Sequence, residues 1–343
     1  MKALVYQGNG GKAWTTAPDP AVEGPRDAVI RVDTATICGT DLHILKGDVP
    51  EVKPGRILGH EAVGTVVDAG AATGLAEGDR VLASCISGCG SCDYCRRGRY
   101  GQCRNGGGWI LGHLIDGVQA EYARIPFADL STHRLPAEVP DEVAVLFADI
   151  MPTSYEVGVH NGRVRPGSVV AVVGAGPIGL AALLCSRLYS PSHLIAIDPA
   201  ASRRVAADRI ADSVVAPEDA EDELRRLGDG LGADVVIEAV GRPEAFELCT
   251  RLVRPGGHVA NVGVHGAPAA LHLESLWISD VTITTGLVDT WSTPELLRML
   301  SGRLIDPADL VTHRFALTDM TEAYDLFADP ASSGALKVTL TRT

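Results

Sequence analysis

Four cysteines, Cys89-x2-Cys92-x2-Cys95-x7-Cys103, have the spacing of a closed metal site. Thiolates two residues apart on tight turns converge on one ion at about 2.3 Å, and four of them leave zinc no open position, which makes the site structural rather than catalytic. Gly88, Gly90 and Gly98 would allow the positive-φ turns that such a knot needs. The alternative is a pair of disulfides. The opening MKALVYQGNG has no apolar signal core, and disulfides are rare in the cytosol, so a cytoplasmic protein with thiolate-bound zinc is expected. Cys38, Cys85, Cys185 and Cys249 are scattered, and the last two sit in apolar helical patterns that suit core packing.

A second pattern could bind a dinucleotide. Gly174-Ala175-Gly176-Pro177-Ile178-Gly179 follows the unbroken apolar run Ser168–Val173 and opens an apolar helical stretch through Leu188. Gly174 makes the tight turn, Gly176 lets the backbone approach a pyrophosphate, and Gly179 lets helix and strand pack closely. The phosphates then rest on the helix N-terminus. Asp198, ending the next apolar run, stands where an acid would hydrogen-bond the ribose 2′-hydroxyl, and its charge repels a 2′-phosphate. NAD(H) is therefore expected rather than NADP(H), although Ser202, Arg203 and Arg204 offer groups that could hold a 2′-phosphate.

These residues need elements to position them. The 343-residue length favours two domains, and a hydrophobic fraction of 46% is ample for their cores. A net charge of −13, spread along the chain, argues against nucleic acid or an anionic membrane as partner. No apolar run approaches the roughly 18 residues of a membrane span. Short segments with turn punctuation (Met1–Tyr6, Ala28–Thr36, Ala62–Asp68, Arg80–Ser84, Gln119–Pro126) predict a β-rich, barrel-like body. From Asn161 the texture changes to repeated βα units, at Leu194–Ile197, Ala233–Glu238, His258–Val262 and Val281–Gly286, whose strands are expected to be fully buried, which implies a doubly wound parallel sheet. A final strand, Ala335–Leu340, is expected to rejoin the N-terminal body. The domains are thus drawn as 1–152 with 288–343, and 153–287.

Ile37-Cys38-Gly39-Thr40-Asp41-Leu42-His43 and Leu58-Gly59-His60-Glu61-Ala62-Val63-Gly64, with the four-cysteine lobe and the nucleotide motif, resemble the zinc-dependent medium-chain alcohol dehydrogenases over essentially the whole chain. The resemblance implies a GroES-like catalytic domain beside a Rossmann domain. Phe147-Ala148-Asp149-Ile150 is similar to the secondary-alcohol and formaldehyde-type branch with an aspartate as third zinc ligand. By resemblance, Cys38, His60 and Asp149 hold a catalytic zinc, and Glu61 is the neighbouring acid that can approach the metal. Taken singly, a cysteine, a histidine and an aspartate read as core filler, a satisfied core residue and a helix cap. Together, a thiolate, an imidazole and a carboxylate leave zinc one open position, where it acts as a Lewis acid on an alcohol.

The resemblance further implies that Thr40 takes the alcohol's proton and that His43, whose unperturbed pKa lies near neutrality, passes it toward solvent. Ile86, Trp109 and Leu287 would line the substrate pocket, although a tryptophan in a Gly-Gly-Gly loop is equally a packing plug. Thr73 stands where the family signature continues with an apolar residue. The implied activity is NAD(H)-dependent interconversion of primary or secondary alcohols with aldehydes or ketones, using two zinc ions per chain. Alternatives are a formaldehyde dehydrogenase or dismutase with tightly held NAD, and a non-catalytic zinc- and NAD-binding protein. The family's strand corresponding to Val281–Gly286 pairs with a second subunit, so a homodimer or homotetramer is expected.

Overall fold

The computed structural model describes residues 1–342 and divides into two compact units, Met1–Asp149 with Asp289–Gly302 and the stretch from Pro307 onward, and Ile150–Val288 with Arg303–Asp306. In the first unit, strands β1 (Lys2–Gly8) and β2 (Gly11–Thr16) form a hairpin. Then follow β3 (Ala28–Thr36), β4 (Ala62–Ala69), β5 (Arg80–Ala83), β6 (Tyr122–Ile125) and β7 (Thr132–Arg134). β3 is the hub: it runs antiparallel to β4 along one edge and to β6 along the other. Gly64 permits that approach, because a Cβ there would lie 2.4 Å from the Arg31 carbonyl oxygen across the pair.

The second unit carries β8 (Val169–Val173), β9 (His193–Ile197), β10 (Ser213–Val215), β11 (Ala233–Glu238), β12 (Val253–Asn261) and β13 (Thr282–Thr285). They form one parallel sheet in the order β10-β9-β8-β11-β12-β13. Every residue of β8 is buried, as expected of a central strand covered on both faces. The helix after β8 runs Pro177–Arg187, three residues earlier than the apolar pattern suggests. A proline at the first helical position sacrifices no intrahelical bond, so the helix starts there. Ahead of β8, Ile150–Thr153 is α-helical and Ser154–His160 widens to π geometry. Gly158 packs that segment on the sheet, where a Cβ would meet Ile237 at 3.3 Å and Val262 at 3.5 Å.

The chain then returns to the first unit as β14 (Val311–Ala316) and β15 (Lys337–Thr341). β15 pairs antiparallel with the Thr34–Thr36 end of β3 and parallel with β14, completing the order β14-β15-β3-β4-β5-β7. Its Val338 and Leu340 join a core with Leu4, Ile30, Ile37, Leu58 and Tyr324. Among the described residues, no helix is long and apolar enough to cross a membrane.

Candidate active site and dinucleotide cradle

Cys38 follows the buried end of β3 and caps the helix Gly39–Lys46. Asp41, inside the first turn and fully buried, accepts the Cys38 N–H at 3.0 Å, which fixes the backbone that presents the thiol. His60 and Glu61 immediately precede β4. Gly59 sets their direction: its φ is +89°, and a Cβ there would strike the Gln119 side chain at 2.4 Å. Asp149 follows the 3-10 turn Val145–Ala148, more than a hundred residues downstream.

Sheet pairing brings these segments together, so that ligand atoms of Cys38, His60, Glu61 and Asp149 all lie within 4.8 Å of one another. Asp149 Oδ2 is 3.5 Å from Cys38 Sγ and 3.5 Å from His60 Nε2. Bonds of about 2.3 Å to sulfur and 2.0–2.2 Å to nitrogen and oxygen give tetrahedral edges of roughly 3.3–3.6 Å, so the three atoms are spaced for one zinc ion. The charge balance agrees. Burial and the Asp149 carboxylate push the Cys38 thiol pKa up. Burial opposes protonation of His60, yet its contacts with Asp149 and Cys38 hold it well above the ordinary imidazole value. Protons thus occupy the place of a cation, and a divalent ion would displace them.

Glu61 is committed elsewhere. Lys337, buried in β15, donates to both its carboxylate oxygens at 2.8 and 2.9 Å and to the Ile37 carbonyl at 3.1 Å. Burial raises the Glu61 pKa, while the lysine opposes that rise. The Thr40 hydroxyl lies 3.6 Å from Cys38 Sγ. His43, one turn on and partly exposed, pairs with Asp48 at 2.7 Å. Ile86 is buried. Trp109 is edge-on to His60 at 6.1 Å between ring centroids and stacks on His113 at 4.3 Å, so it stands beside the cluster of Cys38, His60 and Asp149. Leu287 belongs to the second unit and is exposed. Thr73 closes a turn, donating to the Gly70 carbonyl and accepting from the Leu75 N–H.

Several residues around the cluster escaped the sequence analysis. Cys85 donates to Asp149 Oδ1 at 3.7 Å, leaving Oδ2 toward Cys38 and His60. Gln119 donates to Asp41 Oδ2 at 3.1 Å and accepts from the Tyr324 hydroxyl at 2.7 Å. Lys337 alone had a usable signal, a charge between Leu336 and Val338 in the run Ala335–Leu340.

In the cysteine lobe, the sulfurs of Cys89, Cys92, Cys95 and Cys103 also lie within 4.8 Å of one another. Cys89 and Cys95 are 3.8 Å apart, the edge of a tetrahedron with Zn–S of about 2.3 Å. Burial works against ionising Cys89, but its sulfur accepts from the Ser91 hydroxyl and from the Ser91 and Cys92 N–H groups, and its pKa falls to about 5. Cys95 is pushed up to about 12, first by burial.

In the second unit, Gly174 has φ +99°, and a Cβ on Gly179 would sit 1.7 Å from the Gly174 carbonyl oxygen, so turn and helix can close only with glycine. Over Gly176 the nearest group is the flexible Arg203 guanidinium, 3.2 Å from a would-be Cβ, so no backbone blocks a ligand there. Asp198, buried at the end of β9, accepts the Ala175 N–H on one oxygen and the Ala200 N–H on the other, each at 2.8 Å. Its carboxylate is thereby locked beside the glycine turn. Arg204 is spent on the Asp198 and Pro199 carbonyls.

Comparison with known proteins agrees with this geometry. The alcohol dehydrogenase GroES-like domain matches residues 24–137 and the zinc-binding dehydrogenase domain matches 177–301. An alcohol dehydrogenase of Cupriavidus necator is 36% identical, covering 99% of this chain and 98% of its own. The solved zinc-dependent alcohol dehydrogenase 2 of Streptococcus pneumonia in its apo form is 44% identical, with a TM-score of 0.95, covering 100% of this chain and 98% of that one. A short chain alcohol dehydrogenase of Escherichia coli CFT073, complexed with NADH, is 26% identical with a TM-score of 0.88 over 99% of both chains. With both domains matched in order and full-length relatives above 30% identity, the chain belongs to the zinc-dependent alcohol dehydrogenase family.

Proposed function

We propose that this protein interconverts small primary or secondary alcohols with aldehydes or ketones, using NAD(H), a zinc ion on Cys38, His60 and Asp149, and a second zinc on the four-cysteine lobe. The observation that carries this reading is the 3.5 Å spacing of Asp149 Oδ2 from both Cys38 Sγ and His60 Nε2, which suits one tetrahedral ion. When bound, zinc supplies Lewis acidity that lowers an alcohol's pKa, and NAD supplies the hydride acceptor. Cys38 and Asp149 contribute two negative charges, so their set balances a divalent cation with no further anion. Glu61, neutralised by Lys337, leaves that balance undisturbed.

Thr40 is the group that takes the substrate proton, from a hydroxyl on the turn that presents Cys38. His43, on the same helix and partly exposed, hands it outward beside Asp48. Trp109, packed against His60, and Ile86 form the apolar wall, which selects substrates of low polarity. Asp198 receives the adenosine ribose and disfavours a 2′-phosphate. The reduced thiols that both zinc sites require suit the cytoplasm.

The edge strand β13, with exposed Leu273, Trp277 and Ile278 just ahead of it, suits pairing with a second copy. We assign a dimer or a dimer of dimers. The decisive experiment combines metal analysis with NADH formation on a panel of short primary and secondary alcohols. Two zinc ions per chain and NAD-linked turnover are expected. One zinc and no turnover with any alcohol would overturn the reading.

A further inference from the structure

Glu238 ends β11 and is fully buried, a costly place for a carboxylate without partners. Its Oε1 accepts the Val240 and Gly241 N–H groups, both at 2.9 Å, and so ties down the turn that follows the strand. Its Oε2 has no hydrogen-bond partner and lies 3.6 Å from His265 Nε2, in the segment that follows β12. The same imidazole nitrogen is 2.9 Å from Asn261 Oδ1, and the ring meets Phe246 edge-on. A proton on Nε2 is thus donated to Asn261, with the Glu238 carboxylate beside it at ion-pair distance.

Around this acid, three turns nest backbone to backbone. A Cβ on Gly174 would lie 2.6 Å from Val240 and 3.0 Å from the Ala239 carbonyl oxygen. One on Gly241 would lie 2.2 Å from the Val264 carbonyl oxygen, and one on Gly263 would lie 2.1 Å from the Gly241 nitrogen and 2.4 Å from Glu238 Oε2. The turns after β8, β11 and β12 thus share one close-packed seam at the carboxyl edge of the sheet, where doubly wound folds bind dinucleotides. Such a sheet has two mononucleotide halves. Asp198 sits in the half built on β8, β9 and β10, so the seam beyond β11 belongs to the nicotinamide half.

We infer that Glu238, with His265, is a positioning residue for the nicotinamide half of NAD(H), holding the 239–241 and 262–265 turns against the glycine turn at Gly174. The pair touches no substrate atom in this role. It would hold the turns that frame the nicotinamide half of the cofactor, and loosening them would weaken cofactor binding before it affects zinc. This rests on the NAD(H) reading above.

The test is NADH affinity, followed by fluorescence titration of the zinc-loaded enzyme, together with zinc content, melting temperature and the separate KM values for NAD and alcohol. Glu238→Ala removes the tie on both sides and is expected to weaken NADH binding by about tenfold or more, the scale of a lost hydrogen bond to a charged group. KM for NAD should rise in step, while zinc content and KM for the alcohol stay near wild type. Glu238→Gln keeps an oxygen for Val240 and Gly241 and should recover part of the loss. His265→Asn, at a partly exposed position, should reproduce a smaller share of it.

Should Glu238→Ala fail to fold, the other two variants decide the matter. NADH affinity equal to wild type in both Glu238→Gln and His265→Asn would overturn the inference alone. A wild-type protein that binds no NADH would overturn the nucleotide reading and this inference with it.

Discussion

The two cysteine-bearing clusters of the first unit are built in opposite ways. The lobe draws its four sulfurs from one short segment, Cys89 to Cys103, and orders them with its own backbone: N–H groups of Ser91 and Cys92 point at Cys89, and that of Cys95 points at Cys92. The Cys38 cluster draws its atoms from positions as far as 111 residues apart and orders them through a second ring of side chains: Asp41 on the helix after Cys38, Cys85, Gln119, and Lys337 on β15. A closed local knot can hold a metal whatever surrounds it, whereas an open site with a free coordination position relies on tertiary packing to keep its ligands aimed. Damage to the lobe should therefore register as stability, and damage to the cluster as chemistry.

The sharpest contrast comes from one ligand of each. Cys103→Ser should cost the lobe most of its zinc affinity, about 10³-fold or more given how much folding energy structural zinc carries, and lower the melting temperature. Turnover per folded, cluster-loaded chain should survive. Asp149→Asn should do the reverse, lowering cluster zinc affinity and turnover together by at least about a hundredfold, since loss of a mere outer partner already costs 10–100-fold. Metal analysis and turnover on the same preparations separate the two. Wild-type activity in Asp149→Asn with an empty cluster would sink the contrast and the proposed function together.

Thr40→Ala probes chemistry without touching a ligand. It should slow turnover by about 10²-fold, the scale for one positioned proton-transfer group, with both zinc ions retained. Cys85→Ala tests the outer ring: losing the thiol contact to Asp149 Oδ1 should weaken cluster zinc binding about tenfold in chelator competition, and Cys85→Ser should restore most of it.

The smallest expected difference is in pH dependence. Cys38 and His60 are both raised in pKa, so below those values protons compete for the ligands, and cluster affinity should fall as pH falls, by up to about tenfold per unit for each proton displaced. In the lobe, Cys89 at about 5 is already ionised at neutrality and Cys92 is lowered, while burial raises Cys95 to about 12. Zinc retention between pH 8 and 6 should therefore drop more steeply at the cluster than at the lobe. Parallel curves would remove the distinction.

Much was legible in the amino-acid order because some interactions are local. Cysteine spacing with interleaved glycines, the glycine turn between an apolar strand and a helix, and the shift from punctuated strands to βα repeats are properties of short stretches, and backbone geometry translates each into one arrangement. The place of Asp198 beside the glycine turn also follows from its position at a strand end, where topology brings the two together.

What the order of residues could not express is adjacency across the sheets. Lys337 meets Glu61 only because β15 pairs with β3, and Gln119 reaches Asp41 only because the backbone at 118–119 folds against 58–59. Cys85 looks like an idle thiol until the turn ending at Asp149 lies over it. Glu238 reads as the last residue of a strand until the turns at Gly241 and Gly263 close around its carboxylate. In each case a buried charge or polar group must find a partner or bear the desolvation cost, and that partner lies far along the chain. Residue type and spacing determined by themselves which chemistry this protein carries; strand pairing and turn packing alone decided which side chains hold that chemistry in place.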